Sequence, residues 1–369
     1  LKRYNNLYSK IISIDNLQLA DKRAQKGKSK QKGVIIHNRN QESNILKLHE
    51  MLKNKTYETS VYSNFKVYEP KERIVSKLQF FPDRITHHAV MNILEPIFTK
   101  LFTTDTYSSI KGKGIHSAAK AVKKALADVP GTTYCLKLDI TKFYPSINHH
   151  ILKNLLRRKF KDRDLLWLLD EIIDSAEGIP IGNYLSQYFA NFYLTGFDHW
   201  IKEDQRIKYY FRYADDIVIL SNSKIQLHHI LSAIKQYLNT HLKLKVKDNY
   251  QVFPVDKRGI DFVGYVFYHT HTKLRKSIKK RAAKAFTKKD PAVIAAYMGW
   301  IKHCNSKHLL KKINPNDQFF RFRNTKRSNA LRRKKHQDRR NTECVDSGTR
   351  LQSGTVKKES QLRLFDFTD

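Results

Sequence analysis

The stretch Lys208–Leu220, KYYFRYADDIVIL, decides how this chain is read. Its aromatic and β-branched residues predict a strand on each side of Ala214-Asp215-Asp216. Two carboxylates inside an apolar run are costly unless something offsets their charge. A hairpin tip resolves the conflict, because charge there can meet a cation while the strands stay in the core. Strand alternation puts Asp215 on the face of Tyr213 and turns Asp216 the other way. Taken alone, the pair reads first as an ordinary hairpin turn. Other segments change that reading.

TYCLKLDITKFYPSI, Thr133–Ile147, supplies another acid. Leu136, Leu138 and Ile140 alternate with Cys135, Lys137 and Asp139, so Asp139 stands on the non-core face at a strand end. Acids at two strand ends suit Mg²⁺, which takes few protein ligands and leaves its other positions to phosphate oxygens and water. Two such ions ~4 Å apart serve an in-line displacement at phosphorus.

Composition points the same way. The 70 Lys and Arg against 34 Asp and Glu give a formal net charge of +36 over 369 residues. Such self-repulsion brings no fold stability, so a polyanion, above all nucleic acid, is the expected partner. At 40 % apolar and 11 % aromatic residues the chain as a whole is no disordered polymer. Cys135, Cys304 and Cys344 are odd in number and scattered, which speaks against a disulfide framework or zinc site and suits a cytoplasmic setting. No apolar run approaches a membrane span, no signal peptide is visible, and no membrane partner is expected. The chain opens on Leu1, which leaves its native start open.

Along the chain, DKRAQKGKSKQKG (Asp21–Gly33) reads as a solvated loop or an arm on RNA, and Asn44–Asn54 has helical spacing. Tyr62–Phe80 predicts two strands around a charged turn, Glu69–Arg73. Arg84–Phe102 is a buried helix, kinked or broken near Pro96, and Ile115–Asp128 is an amphipathic one. Helices follow over Ile147–Phe160 and in DLLWLLDEIIDS, before a Gly-Pro-Gly loop opens another. After the helix KIQLHHILSAIKQYLNTHL come three strand candidates, LKV, YQVF and IDFVGYVFY. Lys273–Ile313 is helical and basic, and Asn314–Asp369 lacks an apolar period and reads as largely disordered when free. The paired histidines show no metal-cage spacing and are read as packing residues.

Taken together, these segments resemble a reverse transcriptase. Tyr213–Asp216 in Tyr-x-Asp-Asp form, LDITKFYPSI, GIPIGNYLSQ (Gly178–Gln187) and GIDFVGY (Gly259–Tyr265) match that family in kind and order. Upstream, YEPKERIVSKLQFFPDR, ILEPIF and TYSSIKGKGIHSA resemble the fingers of group II intron-like bacterial enzymes. The resemblance covers about residues 60–312. It implies an α+β right-hand polymerase fold, with fingers, a palm built on an antiparallel sheet, and a helical thumb. The corresponding divisions are 1–60 as a basic N-terminal extension, 61–134 as fingers, and 135–267 as palm, with some fingers elements in 145–180. The thumb is then 268–313 and the basic tail 314–369.

The resemblance also implies roles. Asp139, Asp215 and Asp216 match the catalytic triad and, with the Ile140 carbonyl, bind two Mg²⁺ ions, for which Mn²⁺ can substitute. Lys71 and Arg73 match the clamp on the incoming triphosphate, though a solvated turn rivals that reading for Lys71. Tyr144 matches the gate that excludes a ribose 2′-hydroxyl. Ile181, Gly182, Gln187, Tyr213 and Ala214 complete the nucleotide site. Phe262, Gly264 and Tyr265 form the primer grip.

One departure is informative. Most reverse transcriptases carry Gln-Gly followed by Ser-Pro in the loop on the templating pair, whereas this chain has Ile181-Gly182 and Ser186-Gln187. That variant resembles the enzymes of diversity-generating retroelements, which copy RNA with errors at adenines. Ile181 lacks the amide a glutamine would offer there. The resemblance implies dNTPs, a template RNA with a structured flank, its RNA–DNA hybrid, and a small basic helical-bundle accessory protein forming an oligomer. A retron or phage-defence enzyme is the alternative, and a non-catalytic RNA-binding scaffold is one of another class. No ribonuclease H domain is expected after Ile313, and no HNH endonuclease, since no Cys/His cluster resembles one.

Overall fold

The computed structural model describes residues 3–68, 72–288 and 290–313. It divides into two compact units, Leu1–Ser306 and Lys307–Asp369. Lys71 and the basic tail lie outside the described residues.

Four helices open the first unit: α1 (Tyr8–Ile12), α2 (Ile14–Gln25), α3 (Lys32–Asn38) and α4 (Gln41–Lys53). The solvated loop expected over Asp21–Gly33 is instead the end of α2, a turn, and the start of α3. Asp21 explains the difference. It is fully buried and accepts from Gln25 Nε2 at 2.9 Å and Gln41 Nε2 at 2.5 Å, with His37 Nε2 3.2 Å away. A basic run thus conceals one inward acid that ties three helices together.

An antiparallel ribbon follows, β1 (Ser63–Val67) with β2 (Arg73–Lys77). Helix α5 (Ile85–Leu101) continues past Pro96, so the chain does not break there, and it buries Ile85, Ala89, Val90, Leu94 and Phe98. Helix α6 (Ile115–Ala125) leads to β3 (Tyr134–Asp139). Next come α7 (His149–Lys159), α8 (Arg163–Asp174), α9 (Tyr184–Tyr193) and α10 (Thr195–His199). Asp162 caps α8 by accepting from Leu165 N at 3.1 Å. Its other oxygen accepts from Leu7 N at 2.6 Å and Tyr8 N at 2.8 Å, so one buried carboxylate serves two helix starts.

The central sheet is completed by β4 (Tyr209–Tyr213), β5 (Asp216–Ser221) and, after α11 (Lys224–Leu242), β6 (Gln251–Pro254). Its order is β4-β5-β3-β6, antiparallel throughout. Leu136 and Leu138 of β3 and Ile217 and Ile219 of β5 are buried in the core, as are Phe189 of α9 and Ile234 of α11. LKV makes only a bridge, Ile140 with Val246.

After the short α12 (Val255–Arg258), IDFVGYVFY splits into β7 (Ile260–Phe262) and β8 (Tyr265–Phe267). A third strand, β9 (Thr272–Leu274), pairs with β8 where only helix was expected. Helix begins afterwards, with α13 (Lys276–Lys288) and α14 (Pro291–Ile301). Asp290 caps α14, accepting from Ala292 N at 2.9 Å. The second unit contributes α15 (Lys307–Ile313) among the described residues. The chain is therefore mixed helix and sheet, and no described helix is long and apolar enough to cross a membrane.

Candidate active site

Register brings the acids together. Pairing of β3 with β5 sets Asp139 opposite Asp216, and pairing of β4 with β5 sets Tyr213 opposite Asp216. Directly opposed residues share a face, so Asp216, not Asp215, lies on the face of Tyr213. The alternation argument failed because Ala214 and Asp215 are not strand residues at all. They form the two-residue turn, with Ala214 at φ +55°, the left-handed backbone that tight hairpins require at this point.

Asp215 reaches Asp139 closely enough for the two carboxyls to share a hydrogen bond. Burial, then that contact, pushes the Asp215 carboxyl well above the ordinary carboxylate range. Burial likewise raises Asp216 to about 6, against the pull of the Lys137 ammonium. Asp216 Oδ1 is buried without a hydrogen-bond partner.

Two lysines absent from the sequence-based expectation stand among these acids. Lys247 Nζ donates to Asp139 Oδ2. Its backbone N–H also donates to the Asp139 carbonyl at 2.9 Å, while Thr141 N donates to Lys245 O at 2.8 Å. Ladder alternation therefore turns the Ile140 carbonyl toward the opposite edge, on the side of the Asp215 turn. Lys137 Nζ lies 3.6 Å from Asp216 Oδ1 and donates to the backbone carbonyl of Asp261 on β7. Asp261 Oδ1 in turn accepts from Arg275 Nε at 2.6 Å. Lys137 was legible as a non-core residue two positions before Asp139. Lys247, 108 residues from its partner, carries no local signal.

Among the described residues no three acid, histidine or cysteine side chains converge as a preformed cation cage. Asp139 and Asp215 meet, and Asp216 sits with Lys137. The donor set nonetheless fits a hard divalent cation. Two adjoining carboxylates of like charge, and a buried oxygen without a partner beside them, are what such an ion would satisfy.

The nucleotide-side residues assemble around the turn. Tyr144 is half-buried, and burial followed by the Asp215 charge pushes its hydroxyl up to about 12, with Arg73 acting in the other direction. Arg73, exposed on β2, is thus an electrostatic neighbour of Tyr144. The ribbon is pinned to the loop before α9 by Ser76 N donating to Ile181 O at 2.8 Å. Gly182 makes that approach possible. Its φ is +127°, and a Cβ there would stand 2.3 Å from Ser76 O. Ile181 is half-buried, and Gln187 is exposed in the first turn of α9.

The expected primer-grip residues lie at the β7–β8 turn. Phe262 and Tyr265 face each other as strand partners, both fully buried, and Tyr265 OH donates to Trp300 O at 3.0 Å. Gly264, at φ +86°, occupies the turn, where a Cβ would come within 2.3 Å of the Trp300 ring.

A family described as reverse transcriptase (RNA-dependent DNA polymerase) matches residues 67–267, more than half of the chain. The chain belongs to the reverse transcriptase family. Protein YkfC of Escherichia coli (strain K12) is 24% identical over 228 residues, which cover 50% of this chain and 60% of YkfC. The group II intron-encoded protein LtrA of Lactococcus lactis subsp. cremoris is 24% identical over 173 residues, 43% of this chain and 28% of LtrA. The chain thus spans less than two thirds of these relatives' lengths. A telomerase from Candida albicans, in complex with a fragment of telomeric RNA, overlaps 73% of this chain and 59% of its own at 11% identity and a TM-score of 0.47.

Proposed function

We propose that this chain is an RNA-directed DNA polymerase that extends a primer with deoxynucleotides in a divalent-cation-dependent reaction. The observation carrying this reading is the meeting of Asp139 and Asp215 at neighbouring strand ends, with Asp216 opposite Asp139 and Arg73 on the Tyr144 side of the turn. A metal-free RNA-binding scaffold gains nothing from buried like charges held this way.

Asp139, Asp215 and the Ile140 carbonyl are the groups that would hold Mg²⁺ or Mn²⁺, with Asp216 adding charge. A cation held there would supply Lewis acidity to phosphate oxygens and to the primer 3′-hydroxyl. Arg73, together with Lys71, offsets triphosphate charge as it develops on the leaving group. The Tyr144 ring bounds the sugar pocket and excludes a 2′-hydroxyl. In this reading residues 61–134 act as fingers, 135–267 as palm and 268–313 as thumb. The lysines and arginines of α13 face the hybrid backbone, positioning it without reading sequence.

The finer reading is error-prone copying at template adenines, as in a diversity-generating retroelement with a basic accessory protein. Its support is Ile181 and Gly182, held against the ribbon by Ser76. An aliphatic side chain there offers fewer polar contacts with which to reject a wrong pair. The test of the main reading is DNA-primer extension on an RNA template with Mg²⁺. Activity in the wild type that disappears in Asp215→Ala supports it, and equal extension by both discards it. Misincorporation opposite adenine that does not fall in Ile181→Gln discards the finer reading alone.

A further inference from the structure

Arg212 is a charged residue in the inward phase of a strand. It shares a face with Tyr210, its strand partner is Ile217, and both it and Asp198 of α10 are completely buried. We infer that Arg212, anchored on Asp198, is a positioning residue that sets the catalytic turn by holding the carbonyl of Ala214.

The guanidinium divides its donors between two tasks. Nε donates to Asp198 Oδ1 at 2.7 Å and Nη2 to Asp198 Oδ2 at 2.5 Å, a bidentate pair. Nη1 donates to Ala214 O at 3.0 Å and to Asn191 Oδ1 at 3.1 Å. The anchor is itself fixed. Asp198 also accepts from Tyr210 OH at 2.6 Å and Thr106 Oγ1 at 3.0 Å. Asn191 Nδ2 donates to Ser108 O at 2.8 Å. The Arg212 backbone is gripped as well, its N–H by Asp105 O and its carbonyl by Tyr107 N, each at 3.0 Å.

Stability alone does not call for this arrangement, because well-packed apolar residues replace a buried ion pair at little or no loss. What they cannot replace is the donor aimed at Ala214. That residue holds a left-handed backbone without being glycine. Its carbonyl belongs to the peptide plane that leads into Asp215. Fixing the plane fixes the direction in which the Asp215 carboxylate leaves the turn. A planar fork can hold both oxygens of a carboxylate and a carbonyl at once in one rigid geometry, whereas a lysine offers a single nitrogen on a flexible stem. Misplacing a reacting group by about 1 Å costs on the order of 100-fold in rate.

The inference rests on the polymerase reading for its rate measurement, and on the cation-holding role of Asp139 and Asp215 for its Mg²⁺ response. Two full-length variants test it: Arg212→Lys, and the triple change Tyr210→Phe, Asp198→Leu, Arg212→Met, which leaves neither charge nor phenol stranded. The readouts are thermal unfolding with and without Mg²⁺, and kcat and KM for dNTP. The wild type should gain Tm on adding Mg²⁺, and both variants should unfold cooperatively and lose that rise. Their kcat should fall roughly 10–100-fold, with KM within about twofold. A folded variant that keeps both wild-type kcat and the Mg²⁺ response overturns the inference. Failure of both variants to fold assigns the pair to stability and overturns it equally. If the wild type extends no primer but gains Tm with Mg²⁺, the polymerase reading fails and the Mg²⁺ response still judges Arg212. A wild type with neither overturns the inference as well, since no cation-holding turn is left to set.

Discussion

Tyr144 concentrates the residue-scale argument. Its ring lies where the Asp215 charge and the Arg73 charge are both felt, which in the proposed polymerase reading is the border of the sugar pocket. Tyr144→Ala should therefore raise ribonucleotide incorporation relative to deoxynucleotide by at least about 10-fold, a size typical of losing a well-placed steric contact. Competition assays with matched NTP and dNTP measure it, and an unchanged ratio would leave Tyr144 a packing residue. At this scale the sequence revealed the acids but not what surrounds them. Asp139 was legible from strand alternation. The true facing of Asp215 and Asp216 was not, because alternation cannot tell where a strand stops and a two-residue turn begins. Lys247 pairs with Asp139, and Asp198 with Arg212, each on another element, and neither pair leaves a periodic trace.

Elements carry two further expectations. The β1–β2 ribbon meets the loop before α9 through Gly182, whose missing Cβ admits Ser76 O. Gly182→Ala must push the ribbon away, and Arg73 with it. KM for dNTP should rise about 10-fold or more, as expected for losing one charged contact to phosphate. Its Tm should change by only a few degrees, because the ribbon's outer residues are exposed. Helix α5 supplies the pH dependence. His87 is fully buried there, and burial, then the His88 and Arg84 charges, lowers its pKa to about 3. The folded chain keeps it neutral while the unfolded chain protonates it below its ordinary value of 6.5. Stability is therefore lost as pH falls from that value toward 3, by about 1.4 kcal/mol per pH unit for this one proton. Denaturant midpoints at pH 7 and 5 measure the slope, and His87→Leu should flatten it. The same element scale explains one expectation that failed. A run of basic residues reads as solvated, yet Asp21 within it points inward and makes the segment helical.

For the whole molecule, charge governs. A net +36 that spreads along the sequence predicts binding to an RNA–DNA hybrid dominated by phosphate contacts. Between 50 and 200 mM salt the affinity should fall about 10³-fold or more, as for proteins making six or more such contacts. Fluorescence anisotropy measures it, and a flat response would point to base or shape recognition instead. The α+β class and the antiparallel central sheet were legible beforehand through the family resemblance, while apolar alternation marked only individual strands such as β3. The third strand of the small sheet was not, since Thr272–Leu274 is too short and too basic to show a period.

The account's central claim is that Asp139 and Asp215 together hold a divalent cation. Mn²⁺ binding followed by electron paramagnetic resonance, with primer–template and dNTP present, tests it most directly. The account predicts bound Mn²⁺ in the wild type and its loss in Asp139→Asn and Asp215→Asn, with cooperative unfolding retained. Equal Mn²⁺ binding by all three proteins would contradict it.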